Sequence, residues 1–234
     1  ASGAIELDDP VQALEGKELV LAVRDAKSEL IAVAPWYLDE SRMHGRTLRL
    51  LGCGSAWAQD QTEITWYGHA AFKVVTPQGR VLYIDPWLVN PVNPDGQADL
   101  DGIERADLVL VSHGHFDHVG NAREIIQNTD ARLVATYDLG NALAAYGGIP
   151  AERMGFDTMG NFGGTLRFFE GEIEVTFVPA IHSSSVNPKA MGLGEADTPE
   201  YGGNPGGFLI RIQGGPTIYH TGDTDVYGDM ALID

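Results

Sequence analysis

The segment "ADLVLVSHGHFDHVG" (106–120) constrains the chain more than any other stretch. Its apolar half reads as a buried strand. The strand runs straight into His113, His115, Asp117 and His118, and a core does not hold uncompensated imidazoles and carboxylates. The segment therefore predicts an interior strand whose end opens onto a site that gives those side chains partners. His113 and His115, two apart on extended backbone, can face the same way. Asp117 and His118 follow after Phe116 at the start of a helix and reach the same space from another angle. Nitrogen donors with one hard carboxylate oxygen suit Zn2+, and Mn2+ or Fe2+ with less preference. Four donors this close are crowded for one tetrahedral ion. Two ions sharing a bridging carboxylate would use them better, and His182 and Asp223, each at the end of an apolar strand, are the candidates to complete the set.

The surrounding sequence supplies a frame for such a site. "ITWYGHAAFKVVT" (64–76) reads as a strand, "PQG" turns it, and "RVLYID" (80–85) returns as a hairpin. "WLVNPVNPDGQ" is a loop rich in proline and asparagine. "HVGNAREIIQN" places Val119, Ala122, Ile125 and Ile126 at helical spacing, "ARLVATY" (131–137) is a strand, and "DLGNALAAYG" begins a helix at a capping-type Asp138. Two strands flank Glu170-Gly171 within 165–182, and two more cross a glycine turn within 208–223. Between them, residues 183–207 form a long loop of Gly, Ser, Asn and Pro, a kind more often functional than accidental. Within residues 1–60, "KELVLAVRDAKSELIAVAPWYL" (17–38) could be two strands or a strand and a helix.

Charge excludes one class of partner. The 234 residues hold 33 acidic and 15 basic side chains, a formal net charge of −18. Residues 61–234 contain 23 of the acidic and 9 of the basic residues, a net of −14, so the bias is not confined to one tail. Such a surface repels phosphate backbones, and no nucleic acid partner is expected. The single cysteine, Cys53, excludes an intrachain disulfide and a cysteine-rich zinc site, and it is expected to be inert. No run approaches the roughly 18–20 apolar residues of a membrane span, and no membrane partner is expected. Residues 43–59, "MHGRTLRLLGCGSAWAQ", carry arginines, a short apolar stretch and Ala56-Trp57-Ala58 in the pattern of a signal peptide. Forty-two residues precede it, so a cytoplasmic location is favoured, with a periplasmic one if the segment is an active signal.

The motifs H-x-H-x-D-H after a buried strand, a distant histidine and G-D-T after another strand together resemble the metallo-β-lactamase superfamily. Within it, "ITWYGHAAFKV", "LYIDPWL", "VSHGHFDHVGNA", "VPAIHSSS" and "GGPTIYHTGDT" are similar to the metal-dependent hydrolases related to L-ascorbate-phosphate lactonases, over about residues 62–232. The resemblance implies an α/β fold, a four-layer αβ/βα sandwich, with residues 61–234 as the hydrolase domain and 1–60 as a segment of unknown role. It implies that His113, His115 and His182 hold one ion, that Asp117 and His118 hold the other, and that Asp223 bridges them. It implies hydrolysis of an ester, lactone or phosphoester of a small molecule by metal-bound hydroxide. Relatives continue past the G-D-T strand to a last histidine of the second site. No histidine follows Asp223 here, so the domain is expected to be truncated at its C-terminus and the second site to lack that ligand. Two further expectations follow: a homo-oligomer that covers an open sheet edge, or a catalytically impaired metal-binding remnant acting as a binding or assembly module.

The remaining polar residues divide by role. Asp117 is expected to orient the nucleophile and pass its proton, and His69 is a catalytic candidate that either touches substrate near the metals or is a satisfied histidine of the core or behind the ligands. His220 is expected to be structural or to orient Asp223, and Asp85 to hold the free N–H of a ligand histidine. Ser183 to Ser185 could line the site or simply be loop.

Overall fold

Two β-sheets lie face to face, and the apolar side chains between them come from both. The computed structural model describes residues 61–233 and, within residues 1–60, the backbone of β1 (Leu19–Arg24), β2 (Leu30–Pro35) and β3 (Thr47–Leu51). Cys53, His44 and all of 43–59 except β3 lie outside the described residues. The chain continues through β4 (Gln61–Trp66), β5 (Phe72–Val75), β6 (Val81–Ile84), β7 (Leu108–Leu110), β8 (Arg132–Thr136) and β9 (Met159–Gly160), and β3 to β9 form one sheet in sequence order. After these come β10 (Thr165–Phe168), β11 (Ile173–Pro179), the short pair β12 (Ser185–Val186) and β13 (Glu200–Tyr201), then β14 (Gly206–Ile212) and β15 (Thr217–His220). The second sheet is ordered β10-β11-β14-β15-β1-β2, so the first 60 residues contribute strands to both sheets.

Strands β6, β7, β8 and β9 are parallel, which requires crossover connections. These carry the helices α1 (Gly96–Asp101), α2 (Phe116–Val119), α3 (Ala122–Asn128) and α4 (Tyr137–Tyr146). The parallel strands are apolar on both faces because both are covered. Leu82, Ile84, Leu108, Leu110 and Val134 point into the inter-sheet core with Phe177, Phe208 and Ile210. Their neighbours Tyr83, Val109 and Leu133 point the other way, against Ile125, Ile126 and Leu143 of the helices. The second sheet alternates instead: in β11, Ile173, Val175 and Phe177 are buried while Glu174 and Thr176 are not. The expected α/β sandwich is present, and among the described residues its helices lie against the first sheet.

Three local expectations need correction. Residues 64–76 are not one strand but β4 and β5, paired antiparallel with Trp66 opposite Phe72. Backbone hydrogen bonds from Tyr67 N to Ala71 O and from Ala71 N to Gly68 O close the turn between them, and His69 sits in it at φ 46°. The helical run from His118 breaks at Gly120 into α2 and α3, although Val119, Ala122, Ile125 and Ile126 are all buried as their spacing required. Gly120 has φ 43°, and a Cβ there would lie 2.5 Å from the Trp87 Cα. Helix α4 starts from Thr136 rather than Asp138, which sits in the first turn.

This topology gathers chemistry at one edge. Asp85 follows β6 and the histidine cluster follows β7, both at the carboxyl ends of parallel strands. The ends of β11 and β15 arrive at the same place, because β14 begins between them, with Val178 opposite Gly207 and Phe208 opposite His220. A hydrogen bond of 3.2 Å from Gly206 N to Ser112 O joins the two sheets there.

Candidate metal centre

All six residues expected to bind metal converge on that edge. His113, His115 and His182 offer one donor atom each within 4.8 Å of one another, and so do His113, His118 and Asp223. His113 Nε2 is 3.0 Å from His115 Nδ1, so the two rings each bring a nitrogen to one place. The His182 ring centroid is 5.1 Å from that of His113 and 5.0 Å from that of His115. Asp223 reaches both groups: Oδ1 is 3.2 Å from His118 Nε2, and Oδ2 is 3.9 Å from His182 Nε2. Asp117 is less tightly held, with Oδ2 4.0 Å from His118 Nε2. Nitrogen donors converging with a carboxylate that spans the two groups fit one or two divalent cations.

Buried partners fix which nitrogen each ring presents. Asp85, completely buried, accepts the backbone N–H of Ser112 at 2.7 Å and the Ser112 hydroxyl at 2.6 Å. With its hydroxyl so committed, Ser112 accepts from His113 Nδ1 at 3.0 Å, which leaves Nε2 of His113 for the cluster. Asp85 also accepts from His118 Nδ1 at 2.7 Å, which leaves that Nε2 facing Asp223. One carboxylate thus orients two histidines, as expected of it. Asp85 lies at φ 44°, a backbone region disfavoured for a non-glycine residue and typical of functional turns.

Electrostatics follow from these contacts. Burial pushes the imidazolium form of His118 down, but Asp85 and Asp223 outweigh it and raise the pKa to about 10. Burial and neighbouring histidines hold His113 well below the ordinary histidine range, and burial and His182 lower His115. Burial favours protonation of Asp223, but the hydrogen bond and charge of His118 prevail and lower it. His220 is buried and pushed down by that burial. Its Nε2 donates to Ala70 O at 3.1 Å and its Nδ1 accepts from Gly222 N at 3.2 Å, so it pins the turn that carries Asp223. The structural reading of His220 fits this geometry.

His69 stands outside both donor groups. Its carbonyl accepts from Trp66 Nε1 at 2.7 Å, and its ring lies 4.9 Å from that of Trp87. The serines of the 183–207 loop hold the cluster. Ser184 Oγ accepts Gly114 N–H at 3.1 Å and donates to Gly202 O at 2.8 Å, while Ser183 Oγ is 3.3 Å from His115 Nε2. Sequence reasoning gave no role to Ser112 and left Ser184 undecided. A serine directly before the first histidine was the signal available for Ser112, and it is a weak one.

Residues 80–233 match the family model of the beta-lactamase superfamily domain. The chain belongs to that superfamily. It is 53% identical over 176 residues to a UPF0173 metal-dependent hydrolase of Thermodesulfovibrio yellowstonii, an alignment covering 74% of this chain and 63% of the relative. It is 52% identical over 177 residues to another UPF0173 metal-dependent hydrolase from Anaeromyxobacter dehalogenans, covering 75% of this chain and 61% of that protein. The chain therefore spans less than two thirds of the length of these relatives. Among solved structures, Igni18, a metallo hydrolase from the archaeon Ignicoccus hospitalis, superposes with a TM-score of 0.56 at 28% identity, covering 74% of this chain and 65% of that one. No described helix is long and apolar enough to cross a membrane.

Proposed function

We propose that this superfamily member carries the catalytic centre of a metal-dependent hydrolase acting on an ester, lactone or phosphoester bond of a small molecule. The observation that carries this reading is the Asp223 carboxylate, with one oxygen turned to His118 and the other to His182. His113, His115 and His182 would hold one cation, and His118 with Asp117 a second, with Asp223 between them. Divalent ions bound there, Zn2+ by the histidine-rich donor set and Mn2+ or Fe2+ as alternatives, supply Lewis acidity and make water nucleophilic near neutral pH.

The protein's own groups do the rest. Asp117, partly open to solvent and not committed to a short contact, is the carboxylate placed to orient the attacking water and take its proton. As the water oxygen bonds to the acyl carbon or phosphorus, the bond to the leaving oxygen breaks, and the proton held by Asp117 passes to that oxygen. Asp85 and Ser112 keep the rings of His113 and His118 in one tautomer throughout. The relatives named as metal-dependent hydrolases support the same reading.

The test is metal content and turnover on the same preparation. Two ions per chain, hydrolysis of at least one substrate in a panel of esters, lactones and phosphodiesters, and loss of both in Asp223→Asn are expected. Metal-replete protein that hydrolyses nothing in the panel overturns the proposal and leaves a metal-binding module.

A further inference from the structure

The donors of the cluster are polar, but the side chains interleaved with them are not. Phe116, between His115 and Asp117, is 47% exposed, and Ile181, next to His182, is 57% exposed. Large apolar side chains left in water and adjacent in sequence to convergent polar groups are what a small-molecule site presents to its ligand.

Phe116 is also backed by a fixed surface. Its ring meets that of Trp87 edge to face, with centroids 5.4 Å apart and an interplanar angle of 80°, and Trp87 in turn packs on His69. The asparagine-rich loop after Trp87 is nailed down by its own amides. Asn90 Nδ2 donates to Trp87 O at 2.7 Å and Tyr67 O at 2.9 Å, and Asn93 Nδ2 donates to Leu88 O at 3.0 Å. From α3's start, Asn121 Oδ1 accepts the N–H groups of Leu88 and Val89 at 3.0 and 3.1 Å. A wall held this way loses little freedom when a ligand lies against it, so contact converts efficiently into affinity.

Six of the nine basic side chains among the described residues are held elsewhere. Among the described residues, Arg80, Arg105, Arg132, Arg153, Arg167 and Lys189 are engaged in ion pairs with carboxylates outside the cluster. Recognition of an anionic group on the substrate, away from the scissile bond, would call for such a cation.

We propose that Phe116, Trp87 and Ile181 form an apolar wall of the substrate site, and that the substrate is an ester or lactone bearing an uncharged hydrocarbon or aryl group next to the scissile carbonyl. This inference rests on the hydrolase reading, and two measurements separate its failure from that of the reading.

The first compares p-nitrophenyl acetate, butyrate and hexanoate with bis-p-nitrophenyl phosphate on Zn2+-loaded protein. kcat/KM is expected to rise about three- to fourfold for each methylene that finds cover. Phe116→Ala should flatten the series, and Phe116→Leu should restore most of the slope. A flat series in the wild type, or a preference for the phosphodiester, overturns the inference while the hydrolase reading stands. The second measures hexanoate and acetate binding to the same protein by calorimetry and needs no turnover. Tighter binding of hexanoate, lost in Phe116→Ala, supports the wall even where no ester is hydrolysed; equal binding of the two acids overturns it.

Discussion

His118 and Asp85 share a hydrogen bond of 2.7 Å with side-chain exposures of 1% and 0%. Neither has solvent to fall back on, so removing one strands the other. Asp85→Ala leaves His118 Nδ1 and the Ser112 hydroxyl and N–H without their acceptor, and breaking a buried pair of this kind costs about 3–5 kcal/mol. The milder Asp85→Asn keeps the shape but puts an N–H where an acceptor is needed. It is expected to stay folded and to bind Zn2+ about 10- to 100-fold more weakly, read by calorimetric titration. Unchanged metal affinity in Asp85→Asn would remove Asp85 from the site.

The same contact sets a pH dependence. The His118 pKa is raised from 6.5 to about 10, so its charge stabilises the metal-free fold fully below pH 6.5 and that stabilisation drains away as pH climbs to about 10. His113, His115 and His220 are shifted the opposite way, so each contributes stability above 6.5 that is lost as pH falls below it. The melting temperature of the chelator-treated protein should therefore peak near pH 6.5 and decline on both sides. A cation must also displace the His118 proton, so Zn2+ affinity should rise with pH by up to about tenfold per unit below 10. Proton release on metal addition in weak buffer checks the second point, and a thermal scan across pH checks the first.

Ser184 ties the long loop to the turn between the first two histidines. Ser184→Ala leaves Gly114 N–H and Gly202 O without their partner, worth about 1–3 kcal/mol. For a chain of this size that is a fall of roughly 5 °C in melting temperature. Zn2+ binding should weaken with it, because Gly114 sits between His113 and His115. A stability loss with metal affinity intact would make Ser184 a loop anchor only.

Much of this was legible in the sequence because periodicity and local motifs carry it. Leu82, Leu108 and Val134 announce interior strands, and His113 to His118 announce the cluster, without any knowledge of the fold. Contacts between distant segments were not legible. Nothing local to Ser184 reveals that Gly114 will lie 3.1 Å away, and nothing in "ITWYGHAAF" reveals that Tyr67 to Ala71 reverse the chain rather than extend it. Apolar spacing correctly placed Val119 and Ile125 on one buried face. It could not show that the chain would turn to φ 43° at Gly120, close against Trp87, and divide the helix between them.

Gly222 offers the strictest test of how the turn before Asp223 is built. It has φ 59°, and a Cβ there would stand 2.4 Å from Gly206 O, a backbone atom that cannot step aside. Gly163 has φ 79° with nothing within 4 Å of its would-be Cβ, so it isolates the conformational penalty alone. Gly163→Ala is expected to cost about 1–2 kcal/mol and to leave Zn2+ binding unchanged. Gly222→Ala adds the clash to that penalty and moves the peptide joining β15 to Asp223. It should cost more than about 3 kcal/mol or, in protein that still folds, abolish the second bound ion while the first remains. Chemical denaturation with metal counting on both variants decides the matter, and equal behaviour of the two would show that the Gly206–Gly222 approach has slack.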